Sequence, residues 1–183
     1  MATRGFSLHI PPEIISLVLY CLYNTRDISS SSLVSRTWYK QAFPHLHRHI
    51  TIKKISHLEM LASRIESNGI ERQIGSCIRA MTIKLSFDDP SHPCFIRFER
   101  AVSRFVGLEL LEWKCPLPSS SSTLFKRFRE HCPLLQHLIV HHAGASSEVE
   151  TENVFVFRNL KRLDILWSHI GGYHGTKHYL FNW

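Results

Sequence analysis

The stretch PPEIISLVLYCLYNTRDISSSSLVSRTW, which runs from Pro11 to Trp38, decides how this chain starts to fold. Its first part predicts a helix, because proline suits the first helical turn and Glu13 complements the positive end of a helix. Apolar residues then recur at helical spacing: Ile14, Ile15, Val18, Leu19 and Leu22, with Leu17 and Cys21 widening the stripe.

Two further short helices are predicted before residue 46. Asp27 is expected to cap the second helix, and Ser29 to Ser32 are weak helix formers within it. Ser35 is expected to cap the third helix and Pro44 to end it. Three helices of this size bury too little apolar surface to be stable alone. The module therefore needs a partner, either the rest of the chain or another protein.

The composition suits a soluble protein that works inside the cell. The chain has 183 residues, a formal net charge of +7 and five cysteines without a C-x-x-C pair. This cysteine pattern favours neither a disulfide framework nor a zinc ribbon. The sequence shows no secretory signal and no apolar run long enough to cross a bilayer, so a cytoplasmic or nuclear location is expected. The positive charge is compatible with acidic partners or with ordinary solubility.

The order I-P-P-E-I-I, then D-I, then L-V-S-R-T-W resembles the F-box motif over residues 8 to 46, although the serine run departs from the family pattern. The resemblance implies an F-box domain at residues 1–46 that binds the Skp adaptor and, through it, a cullin-RING ubiquitin ligase. It implies a Skp-binding surface made of Ile10, Pro11, Glu13, Ile14, Ile15, Val18, Leu19, Leu33, Val34 and Trp38. The alternative is that these residues form the first helical layer of one larger core.

A strand at Ile50 to Lys53 is predicted next, followed by a helix that Ser56 caps and whose apolar face consists of Leu58, Leu61, Ala62 and Ile65. A pattern of three apolar residues then occurs four times. Two residues separate the first apolar residue from the second, and one residue separates the second from the third: Ile78-Met81-Ile83, Leu108-Leu111-Trp113, Leu135-Leu138-Val140 and Leu160-Leu163-Ile165. Amphipathic helices are predicted between copies, with one apolar face made of Phe95, Phe98, Val102 and Phe105 and another of Leu124, Phe125 and Phe128.

Strand-then-helix units of about 20–30 residues with this apolar core resemble leucine-rich repeats. The fold class predicted is therefore α/β: a small three-helix F-box followed, at residues 47–183, by an irregular leucine-rich-repeat-like α/β solenoid of parallel strands with helices outside. This layout resembles that of many fungal F-box proteins. The end, HIGGYHGTKHYLFNW, is not a polar cap, which suggests an incomplete repeat region and a truncated product.

No catalytic residue, metal site or cofactor is predicted. His137 and His141 fall on one side of a predicted strand, about 13 Å apart, which is too far to share an ion. His131 and Cys132 are neighbours without an oxyanion-hole motif. A recurring set of basic residues could bind an acidic or phosphorylated segment or could be a solvated face: Arg97, Arg100, Arg104, Lys126, Arg127, Arg129, Lys161 and Arg162.

The sequence therefore predicts a non-catalytic substrate adaptor of a Skp-cullin-F-box ubiquitin ligase, with an unidentified protein substrate and no membrane partner. The residues that would bind the substrate are not predicted. The alternative is a basic nucleic-acid- or protein-binding module unrelated to ubiquitin transfer. Nucleic acid is the less favoured partner, because the sequence lacks arginine clusters with interleaved exposed aromatics and lacks a helix-turn-helix or RNA-binding signature.

Overall fold

The computed structural model describes residues 10–67, 73–85, 92–115, 121–143, 157, 159–168 and 174–180. The chain divides into two compact units, Met1–His47 and Arg48–Trp183. The first unit contains three helices, α1 (Pro12–Cys21), α2 (Thr25–Ser32) and α3 (Arg36–Leu46). The helical character predicted for this part of the chain is therefore observed.

Two of the predicted helix boundaries in the first unit were wrong. The cap of α2 is Asn24, whose side chain accepts a hydrogen bond from the Arg26 backbone N–H at 2.9 Å, so Asp27 lies inside the first turn. Pro44 does not end α3 but lies within it. The last turn persists because Leu46 packs on the module core and the His47 N–H donates to the Phe43 carbonyl at 3.2 Å.

The second unit contains a six-stranded sheet in the order β1-β2-β3-β4-β5-β6. The first five strands are parallel, and β6 pairs antiparallel with β5. The strands are β1 (His49–Ile52), β2 (Ala80–Ile83), β3 (Leu110–Trp113), β4 (His137–Ala143), β5 (Arg162–Ser168) and β6 (His174–Leu180). The helices are α4 (Ile55–Glu66), α5 (Ile74–Cys77), α6 (Cys94–Ala101), a 3-10 helix (Val102–Arg104) and α7 (Ser121–His131).

The starts of the four strands β2 to β5 are built in the same way. The Arg48 carbonyl accepts hydrogen bonds from two successive N–H groups at the start of β2, those of Arg79 and Ala80. The carbonyls of Arg79, Glu109 and Gln136 do the same for β3, β4 and β5. This recurring pair of bonds sets the strands in register, so the four apolar triplets of the sequence occupy equivalent positions. Every residue of the triplets is buried, with at most 3% of its surface exposed.

Aromatic side chains fill the space between the sheet and its helices. The Trp113 ring lies 6.3 Å from the ring of Phe95 and 6.2 Å from that of Phe125. The Phe98 ring lies 5.8 Å from that of Phe105 and 6.1 Å from that of Phe128. These separations are typical of favourable aromatic pairs. Helices α4, α6 and α7 thus bury their apolar faces, as predicted, in one core with the triplets.

The opposite side of the sheet, here called the open face, carries the residues that alternate with the triplets. Its middle row, in register across the six strands, consists of Thr51, Thr82, Glu112, Ile139, Asp164 and His178. Asp164 is the buried member of this row, and the others are half-buried or exposed. The open face is therefore polar and partly accessible, in contrast to the helix-covered face.

Two details of the second unit were not foreseen. Ser56 is not the cap of α4, since the helix starts at Ile55 and Lys54 occupies the cap position without a side-chain hydrogen bond. The strand β6 was missed, because its glycine and histidine residues lack the alternation of apolar side chains that indicates a strand. It forms because its backbone pairs with all seven residues of β5.

Removing the Phe98 side chain should weaken the second unit strongly. Phe98 is fully buried, so Phe98→Ala is expected to lower the free energy of unfolding by about 3–5 kcal/mol through lost burial and an unfilled cavity. Urea unfolding, followed by circular dichroism, measures this change.

Ile96→Ala on the same helix is the matched control, because 54% of the Ile96 surface is exposed. Its effect should stay within about 0.5 kcal/mol. Equal effects of the two substitutions would contradict the assigned core face of α6.

Candidate docking surface

Helix α1 carries two apolar stripes on different faces. Ile15 and Leu19 are buried, at 2% and 0% exposure, and Leu22 packs beside them. The second stripe has the i, i+3, i+4, i+7 spacing of a helical docking face: Ile14, Leu17, Val18 and Cys21. All four of these residues are exposed. One stripe therefore forms the core of the module, and the other presents apolar surface to the outside.

The core that absorbs the first stripe is small. Its buried members are Ile15, Leu19, Ile28 and Ala42, and Leu22, Trp38 and Leu46 pack against it while partly exposed. A core of this size contributes little stability by itself, because small modules bury a small share of their surface. The exposed apolar residues of α1 are thus not needed to fill the core that the three helices share.

The connection between α2 and α3 presents a second apolar surface, Leu33 and Val34, at 85% and 68% exposure. The serine run shapes this corner. The Leu33 and Val34 N–H groups donate to the carbonyls of Ser30 and Ser31, at 3.1 and 3.2 Å. Ser35 then caps α3, as predicted, by accepting a hydrogen bond from the Trp38 N–H at 3.3 Å. Backbone bonds on one side and a cap on the other therefore hold both apolar side chains outward.

The structure separates the predicted Skp-binding residues into three groups. Seven are exposed: Ile10, Pro11, Glu13, Ile14, Val18, Leu33 and Val34. Trp38 is half-buried against the module core. Ile15 and Leu19 were expected on the surface but lie in the core, since their face of α1 is the one that packs on α2 and α3. They support the docking surface from beneath.

Four exposed large hydrophobic residues in the described part of this unit were not included in the predicted surface. They are Leu17, Tyr20, Tyr23 and Tyr39, which expose 60%, 67%, 101% and 43% of their surface. The spacing of Leu17 could have identified it, because it belongs to the stripe of Ile14 and Val18 rather than to that of Ile15 and Leu19. The tyrosines carried no such signal, because exposure of single aromatic residues depends on tertiary packing.

On the open face of the sheet, Glu112 is held by three neighbours. Its carboxylate accepts a hydrogen bond from Thr82 Oγ1 at 3.0 Å and lies 2.8 Å from Lys114 Nζ and 3.8 Å from His141 Nε2. Burial alone would raise the pKa of Glu112, but the hydrogen bonds from Lys114 and Thr82 outweigh it and lower the pKa. Burial and the charge of Lys114 lower the pKa of His141.

Asp164 forms the second charged group on this face. Its side chain is only 4% exposed and lies 2.8 Å from Arg162 Nε and 2.7 Å from His178 Nδ1. Burial would raise the pKa of Asp164, but the hydrogen bonds from Arg162 and His178, with their charges, hold it below its ordinary value. Since His178 belongs to β6, this contact ties the last strand to β5.

The remaining sequence candidates are His131, Cys132 and the histidines of β4. His137 and His141 both lie on β4, and among the described residues no group of three or more His, Cys, Asp or Glu side chains could hold a metal ion. The side chain of His142 lies outside the described residues. Burial raises the pKa of the Cys115 and Cys132 thiols to about 12, so both stay protonated at neutral pH.

The recurring basic residues on the helices are partly neutralised. Arg97 Nη2 lies 3.0 Å from Glu66 Oε2, and Arg127 Nε lies 3.4 Å from Glu99 Oε1. Arg162 belongs to the sheet and is paired with Asp164. These pairs favour the interpretation of the helical basic residues as a solvated face rather than a binding stripe.

Comparison with known families finds a match in the first part of the chain. A family model described as F-box-like matches residues 7–53, a range that covers α1, α2, α3 and β1. The match supports the F-box motif inferred from the sequence, and an F-box-like domain indicates a general role in substrate recognition by Skp-cullin-F-box ubiquitin ligases. Comparison with curated proteins finds no match. None of the helices in the described ranges combines the length and apolarity needed to cross a membrane.

Asp164→Asn should remove a stabilisation that depends on pH. At neutral pH it is expected to lower the free energy of unfolding by about 1.5–3 kcal/mol, as for other hydrogen bonds to a charged group. The pKa of Asp164 is lower in the folded than in the unfolded chain, so the stabilisation is present above the ordinary Asp pKa of 3.8. It is lost as the pH falls through the lower folded-state pKa, which urea unfolding at a series of pH values measures.

Asp27→Asn provides the control, because Asp27 is exposed in the first turn of α2. The difference in free energy of unfolding between wild type and the Asp164→Asn variant should become smaller in acid. Asp27→Asn should change the free energy of unfolding little at every pH. If the difference between wild type and Asp164→Asn is as large in acid as at neutral pH, the carboxylate charge of Asp164 contributes nothing to stability.

Proposed function

We propose that this chain is a substrate adaptor of a Skp-cullin-F-box ubiquitin ligase, which binds the Skp adaptor through its first unit and a target protein through its second. The observation that carries the proposal is the second apolar stripe of α1, together with Leu33 and Val34, in the range that matches the F-box-like model. Exposed apolar patches of this kind mark interaction sites on soluble proteins.

The proposed contact with the Skp adaptor is the burial of helical side chains in a partner groove. The exposed residues Ile14, Leu17 and Val18 provide anchors at the spacing that such a groove reads. Leu33 and Val34 project from a corner whose backbone is fixed by hydrogen bonds, so little conformational entropy is lost when they bind. Trp38 joins the surface to the core, because it is half-buried and held by the cap of α3.

The second unit is proposed to be a leucine-rich-repeat-like region that holds the target. Support comes from the recurring strand starts, at which the carbonyls of Arg48, Arg79, Glu109 and Gln136 each accept two N–H groups. The proposed role involves no bond chemistry by the chain itself. It acts by raising the effective concentration of the target at the ubiquitin-loaded enzyme, in the cytoplasm or nucleus.

Co-purification of the chain with a Skp adaptor tests the proposal. A variant with Val18→Asp and Leu33→Asp places two charges on the exposed apolar surfaces and should weaken binding at least about thirtyfold, because hot-spot side chains contribute about 2 kcal/mol or more each. Titration by isothermal calorimetry gives the affinity of each variant.

Leu134→Asp is the matched control, because Leu134 is 47% exposed in the second unit. It should bind the Skp adaptor like wild type. If folded wild-type chain does not bind the adaptor, or if the control loses binding as completely as the Val18→Asp, Leu33→Asp variant, the proposal is wrong.

A further inference from the structure

Three lysines lie side by side where the parallel strands end. Lys53, Lys84 and Lys114 directly follow the last residues of β1, β2 and β3, and they are called the lysine row here. The register pairs Ile52 with Ile83 and Ile83 with Trp113, so the next position on each strand is a lysine. The same position on the fourth strand is His141, since Val140 pairs with Trp113.

Hydrogen bonds show that this register continues into the row. The Lys84 N–H donates to the Ile52 carbonyl at 2.8 Å, and the Lys114 N–H donates to the Ile83 carbonyl at 2.7 Å. Neighbouring strands are about 4.8 Å apart, so the backbones of the row span about 10 Å. The preceding residue of each strand faces the core, which places the three lysine side chains on the open face.

The charges of the row are only partly compensated. Lys114 is paired with Glu112 at 2.8 Å. Lys53 and Lys84 are exposed, and neither forms an ion pair with any carboxylate in the described ranges. On the helical side Arg97 and Arg127 are paired, whereas Arg100 and Lys126 are exposed and form no ion pair with a carboxylate in the described ranges. Lys53 and Lys84 place uncompensated positive charge at one edge of the open face, and Arg100 and Lys126 provide the comparison on the helical side.

Two apolar side chains continue the open face beyond Lys114. Ile139 and Leu166 are half-buried members of β4 and β5, and Leu166 pairs with His141 in the same row as the lysines. They alternate along their strands with the residues of the core, so they face the same side as Glu112 and Lys114. The surface thus combines cationic and apolar contacts within reach of one extended peptide.

We infer that the open face binds an extended acidic segment of a partner protein, whose carboxylates pair with the lysine row and whose apolar side chains cover Ile139 and Leu166. Alternate side chains of an extended peptide are about 6.7 Å apart, so two or three carboxylates match the span of the row and the reach of lysine side chains. The inference rests on the proposed function in one respect, because it assigns this acidic segment to the target protein.

The composition of the face favours a peptide over a nucleic acid. The described side chains of the open face include no Phe, Tyr or Trp, whereas single-stranded nucleic acids stack on exposed aromatic rings. Trp113 of β3 is fully buried on the opposite face.

The test measures binding of a fluorescein-labelled synthetic peptide to the full chain by fluorescence anisotropy. The probe has about ten residues in which Asp and Glu alternate with Leu, and a second probe replaces every Asp and Glu by Asn and Gln. Wild type should bind the acidic probe at least about tenfold more tightly than the neutral probe, and the difference should shrink as salt screens the charges.

Two variants with the same change in net charge locate the binding surface. Lys53→Glu with Lys84→Glu reverses charge in the lysine row, and Arg100→Glu with Lys126→Glu reverses it on exposed positions of α6 and α7. The first variant should lose binding of the acidic probe at least about tenfold, whereas the second should lose less than about threefold. Because all four residues are exposed, both variants should unfold in urea like wild type.

Three outcomes would overturn the inference: no binding of the acidic probe by wild type, equal losses in the two variants, or tighter binding of a single-stranded oligonucleotide of equal charge. Equal losses would mean that the probe follows net charge rather than the lysine row. Binding of the Skp adaptor, measured on the same samples, should be unchanged in both variants. Failure of the folded wild-type chain to bind the adaptor would contradict the proposed function, whereas failure to bind the acidic probe would contradict this inference. The two proposals are therefore tested separately.

Discussion

The aromatic core beneath the sheet is the interaction on which the second unit depends. Trp113 contacts Phe95 of α6 and Phe125 of α7, so a single side chain of β3 joins two helices. Phe98 links α6 to Phe105 and to Phe128 of α7 in the same way. Because burial of apolar area is the main favourable term in folding, these contacts determine which face of the sheet is covered. The other face is left to carry polar groups.

The first unit, by contrast, leaves much of its apolar surface exposed. Its core holds few residues, and the second stripe of α1 and the corner at Leu33 and Val34 remain exposed. A module that buries its whole apolar surface would expose no apolar patch to a partner, and a module that buries none would not fold. The division of α1 into two stripes satisfies both demands, because the 3.6-residue helical period keeps Ile15 and Leu19 apart from Ile14 and Val18.

The charged residues of the second unit are distributed between the helix-covered face and the open face of the sheet. The helical side pairs Arg97 with Glu66 and Arg127 with Glu99, and leaves Arg100 and Lys126 exposed without an ion pair in the described ranges. The open face buries Asp164 between Arg162 and His178 and keeps Lys53 and Lys84 exposed. Surface ion pairs contribute little stability, so the helical pairs mainly reduce uncompensated charge. The inferred attraction of an acidic partner depends on Lys53 and Lys84 at the carboxyl ends of their strands.

The sequence by itself determined the three helices of the first unit, the four apolar triplets and the apolar faces of α4, α6 and α7. These features depend on local periodicity, which the order of residues records directly. Tertiary structure alone decided that the stripe of Ile15 and Leu19 is the buried one of the two on α1, that Pro44 lies inside α3, and that β6 pairs with β5. It also brought together the lysine row and the contact between Asp164 and His178, whose members lie on different strands. The reason is physical: periodicity identifies which face of an element is apolar, but only packing and strand register determine what that face meets.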